Sequence, residues 1–64
     1  MDAITEPTLR ALLQAGAVQR VQAVADGRFW YVVIRVGMED NIISSQRSYR
    51  RTWKSLDTLV AWLQ

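Results

Sequence analysis

Asp26-Gly27-Arg28-Phe29-Trp30-Tyr31-Val32-Val33-Ile34-Arg35-Val36-Gly37 is the stretch whose pattern decides the fold. Trp30, Val32, Ile34 and Val36 are all apolar and, spaced by two, share one face of a β-strand that belongs in a core. Phe29, Tyr31, Val33 and Arg35 share the other face, apolar at its start and basic at its end, so that face is either half-buried or a binding surface. The Asp26-Gly27 pair separates this run from a mixture of β-branched and polar residues between Ala17 and Val24, which predicts a hairpin.

On the C-terminal side, Gly37 to Asn41 reads as a turn and Ile42 to Gln46 as a third strand. Tyr49 to Lys54 follows as a fourth strand or as an extension of the third, and the pattern leaves both open. Ser55 then caps a helix with Asp57 in its first turn, where a carboxylate suits the helix dipole. Leu56, Leu59, Val60 and Leu63 recur at helical spacing, with Trp62 extending the stripe.

On the N-terminal side, Thr5 is an N-cap with Glu6 and Pro7 in the first turn, and Ile4 and Leu9 occupy the positions of a hydrophobic staple. Leu9, Leu12 and Leu13 form the apolar stripe, and Gly16 ends the helix, which spans about residues 6 to 15. The expected fold is therefore α+β, a single small domain over residues 1–64, in the order helix, three- to four-stranded antiparallel sheet, helix.

A chain of 64 residues buries a smaller share of its surface than a larger domain does, so its core needs a supplement. With no cysteine and no histidine, disulfides, thiolate metal sites and imidazole ligands are excluded. Burial of the three tryptophans, or assembly into a homodimer, is the expected supplement. No signal peptide is visible, and the longest apolar run, Phe29 to Ile34, is far short of the roughly 20 residues of a spanning helix. The expected setting is the cytoplasm, with no membrane partner.

No catalytic constellation stands out. Ser44, Ser45, Ser48 and Ser55 have no partner base, Glu39 and Asp40 are neighbours that point apart in a strand, and Gly16, Gly27 and Gly37 are isolated turn residues rather than a phosphate loop. No cofactor and no metal are expected, and the chain reads as a non-enzyme.

The basic residues are unevenly placed. The net charge is only +2, but Arg47, Arg50, Arg51 and Lys54 crowd into one acid-free segment broken by Tyr49 and Trp53. If the segment is a strand, Tyr49, Arg51 and Trp53 point one way and Arg50, Thr52 and Lys54 the other. With neighbouring strands, Arg47, Arg50 and Lys54 share a face with Arg35 and Tyr31, a patch suited to phosphates and bases. The bland alternative is a solvated face whose arginines cover apolar surface and guard an edge. Phe29 and Tyr31, opposite the wholly apolar face, are candidates for contact with a second copy or a protein partner. Trp53 and Trp62 read as core.

Three segments taken together, Leu12-Leu13-Gln14-Ala15-Gly16-Ala17-Val18, Arg28 through Gly37, and Ser45-Gln46-Arg47 with Arg50 through Leu59, resemble small ParC-like partition-associated proteins of plasmids and integrative elements. Ser48 stands where such tails usually carry glycine, and Trp53 where phenylalanine is more usual. The resemblance implies a non-enzymatic accessory of plasmid maintenance or transfer that touches DNA or the partition machinery. On that reading Arg35, Arg47, Arg50, Arg51 and Lys54 meet DNA. The competing expectation is a small protein-interaction module or inhibitor that uses Phe29, Tyr31 and the sheet edge. The double-stranded-RNA-binding domain shares the element order but starts its last helix with clustered lysines, whereas Lys54 is the chain's only lysine.

Overall fold

The expected hairpin forms, with its turn one residue later than the Asp26-Gly27 pair predicts and Asp26 within the strand. In the computed structural model, which describes residues 2–64, β2 (Val18–Asp26) and β3 (Phe29–Val36) pair antiparallel, with Asp26 opposite Phe29 and Ala23 opposite Val32. Met1, the first residue of the expected domain, lies outside the described residues. The two-residue turn is Gly27-Arg28, and Gly37-Met38 makes the same connection from β3 to β4 (Glu39–Ile43). Gly27 and Gly37 have φ of 61° and 62°, the left-handed value that the first central residue of a tight hairpin turn requires.

The remaining elements are β1 (Asp2–Ile4), α1 (Glu6–Gln14) and α2 (Leu56–Leu63). β1 pairs with β4 in parallel, and the sheet order is β1-β4-β3-β2. The sheet is therefore mixed, not purely antiparallel, and a strand precedes the first helix. The fourth strand lies at the N-terminus instead of at Tyr49 to Lys54.

α1 begins at Thr5, whose hydroxyl accepts from the Thr8 amide. It ends in a Schellman arrangement, with Ala17 N–H bonded to Leu12 C=O at 2.9 Å and Gly16 N–H to Leu13 C=O at 3.1 Å. Ser55 caps α2 as its sequence predicts.

Both helices lie on one face of the sheet. The core joins Leu9 of α1 and Leu59 of α2 to Val32, Ile34, Ile43 and Trp53, with Ile4, Trp30, Val36 and Trp62 packed against it. The predicted apolar stripes are buried only in part: Leu13, Leu56, Val60 and Leu63 stay exposed. α2 grips the core through Leu59 and Trp62, because a helix so short meets the sheet along a narrow line. Among the described residues no helix is long and apolar enough to cross a membrane.

The third strand starts earlier than its pattern predicts, at Glu39, since the two-residue turn leaves no slack and Asp40 pairs with Arg35 directly across the hairpin. Beyond Ile43 the strand stops. Ser44 N–H bonds to Ile4 C=O, Ser45 and Ser48 exchange backbone hydrogen bonds, and Arg51 N–H returns to Ile43 C=O at 2.7 Å. Ser48 Oγ also bonds to the backbone of Arg50. Such local hydroxyl bonds give the backbone an alternative to a ladder. Only Trp53 regains β3, exchanging both backbone bonds with Trp30 at 2.8 Å.

Candidate binding surface on the open face of the sheet

Residues directly opposite in a ladder share a face, so the register fixes which side chains the helices leave uncovered. They are Arg20, Gln22, Val24 and Asp26 on β2, Phe29, Tyr31, Val33 and Arg35 on β3, and Asp40 and Ile42 on β4. Val33 and Ile42 at the centre are buried, whereas Phe29 is 45% exposed.

Although the basic segment is mostly loop, its alternation survives. Arg50 reaches the open face, its guanidinium carbon 4.4 Å from the centroid of the Tyr31 ring, while Nη2 bonds to Asp26 Oδ2 at 2.6 Å. An aromatic face on one side and a carboxylate on the other hold the guanidinium in one place. Phe29 lies opposite Asp26 in the same ladder.

Arg51 turns to the helix side instead. Its guanidinium lies over Trp53 and Trp62 at 4.9 and 5.1 Å, and the two indoles meet at 4.9 Å with their planes tilted by 49°. Glu6 stands nearby. The hydrogen bond from Arg10, 2.8 Å long, lowers its carboxyl below the ordinary value, and the charges of Arg10 and Arg51 and the Trp62 indole lower it further. Arg51 thus ties the loop to α2 through the two indoles and faces away from the open face.

The five predicted cations therefore do not form one patch. Arg35 lies on the open face but four residues along β3 from Tyr31, and it pairs with Asp40 at 3.4 Å. Arg47 is exposed in the loop, and Lys54 is exposed in the bend just past the Trp53 bridge. Arg28, in the turn beside Phe29, is a further exposed cation that the sequence pattern gave no reason to single out. Among the described residues, Arg28, Arg47 and Lys54 make no ion pair.

A cleft of about 530 Å³ opens on the helix side between the start of α1 and the loop, lined by Thr5, Glu6, Pro7, Ser44, Ser45, Gln46 and Arg51. Its single acid, Glu6, and single arginine, Arg51, carry opposite charges, and its serines meet no base among the described residues. Comparison with family models, curated proteins and solved structures gives no match to this chain, so the resemblance to partition-associated proteins rests on the quoted segments alone.

Proposed function

We propose that this chain is a non-enzymatic, cytoplasmic interaction protein of plasmid maintenance or transfer, and that it binds a protein partner through the open face of its sheet. Tyr31 and Phe29 are the anchors and Arg50 is the polar contact. The observation that carries this reading is the Arg50 guanidinium held between Tyr31 and Asp26 beside the exposed Phe29. Aromatic residues and arginine dominate interface hot spots, and side chains already fixed in place lose little entropy on binding. The plasmid setting follows from the family resemblance, and the choice of a protein partner follows from the pairing of the arginines. Arg35, Arg50 and Arg51 are each engaged by an acid or by indoles, which leaves them less charge to offer phosphates.

Affinity capture from cells carrying the gene tests the reading. The complex should survive nuclease, and Tyr31→Ala should abolish it while leaving the circular dichroism spectrum unchanged. A complex dissolved by nuclease would contradict the reading.

One observation favours a second reading, contact with DNA: Arg28 and Lys54 are exposed, and neither is paired among the described residues. Phosphate contacts made by these side chains and Arg47 would be sequence-independent and steeply salt-dependent. A fluorescence titration with duplex DNA at low salt tests it, and the Arg47→Ala/Lys54→Ala double variant should then bind every sequence more weakly.

A further inference from the structure

β2 is the longest strand and forms an open edge of the sheet. Natural edge strands are usually kept short or interrupted by proline, lysine or a bulge. Here the only irregularity lies between Val18 and Arg20, and the stretch from Arg20 to Asp26 is regular and contains neither proline nor lysine.

The backbone polarity of that stretch can be deduced. Trp30 directs its N–H and C=O at Trp53, away from β2, so Ala25, its partner on β2, directs its own groups away from β3. Alternation gives the same outward direction to Ala23 and Val21. These three residues present a row of donors and acceptors at the edge.

The side chains add a second observation. Arg20 lies opposite Arg35, and like charges facing each other across a ladder are destabilising. Asp40 compensates Arg35, but among the described residues Arg20 has no acid. Asp26, on the same face of the same strand, gives Oδ2 to Arg50 and retains Oδ1.

We propose that β2 pairs antiparallel with the β2 of a second copy, across a two-fold axis at Ala23. Ala23 then faces its own counterpart, and Val21 faces Ala25 of the other copy, each pair exchanging both backbone hydrogen bonds. The same register sets Arg20 opposite the other copy's Asp26 at both ends, and it leaves the bulged position outside the pairing. The two sheets become one continuous sheet with all helices on one side. Both Tyr31–Arg50 clusters then lie on the other side, giving a partner two equivalent footholds. This inference does not depend on what the open face binds, although Asp26 serves both the edge pairing and the Arg50 clamp.

Sedimentation equilibrium of the full chain tests it. The expected result is a dimer that Ala23→Pro converts to a monomer with unchanged circular dichroism, because the amide removed points away from β3. Arg20→Asp should weaken dimerisation about tenfold at low salt, and adding Asp26→Arg should restore it by exchanging the charges. A wild-type monomer at the highest soluble concentration would overturn the proposal. So would a dimer indifferent to both Ala23→Pro and Arg20→Asp, which would place the contact elsewhere, for instance on the exposed Leu56, Val60 and Leu63 of α2.

Discussion

At the scale of single residues, Arg50 and Arg51 are neighbours with opposite duties. Arg51 lies against two indoles and close to Glu6, so Arg51→Ala should cost about 1–2 kcal/mol of stability in a urea titration. Arg50 makes one exposed ion pair and one ring contact, and Arg50→Ala should cost less than about 1 kcal/mol in the same titration. The alternation of the segment makes this division legible in sequence. It does not reveal the acids that Arg35 and Arg50 find, because Asp40 and Asp26 become neighbours only once hairpin register and loop path are set. Glu6 gives a prediction with a definite sign. Its carboxyl is lowered in the fold, so the stability it contributes is present above the unfolded value and disappears as pH falls through the lower folded one. Glu6→Gln should flatten the acid limb of a stability-against-pH curve below about pH 4 and leave its neutral-to-alkaline part unchanged in shape.

At the scale of elements, helix caps and turn glycines are the features that sequence specifies most directly, since each rests on contacts within a few residues. Thr5, Gly16, Gly27 and Ser55 all serve as their types predict. β1 is different: three residues carry no period, and their parallel pairing with β4 depends on chain some forty residues away. The break after Ile43 is equally hidden, because Ser45 and Ser48 leave the ladder for bonds to each other and to Arg50, in a stretch whose composition suits a strand. α2 separates the two meanings of an apolar helical residue. Leu59→Ala should cost about 2–5 kcal/mol by thermal or urea unfolding, whereas Val60→Ser, on the exposed flank, should change stability by about 0.5 kcal/mol or less. Gly37→Val, forced into a left-handed turn position, should destabilise by about 1 kcal/mol or more in the same assay.

At the scale of the whole molecule, one sheet presents three different surfaces. The helix side holds the core and the tryptophan–arginine stack, the β2 edge offers a row of backbone groups, and the open face displays Phe29, Tyr31 and Arg50. Sequence alternation foresees two sides of β3 but not the covering of one by both helices, because that depends on the path of α1 from β1 at one edge to β2 at the other. The proposed function makes Tyr31, not the exposed cations, the determinant of partner binding. The most direct test compares two variants in one nuclease-treated affinity capture, each first shown by circular dichroism to be folded. Tyr31→Ala should lose the partner and Arg47→Ala/Lys54→Ala should retain it; retention by Tyr31→Ala together with loss by the cation variant would contradict the account.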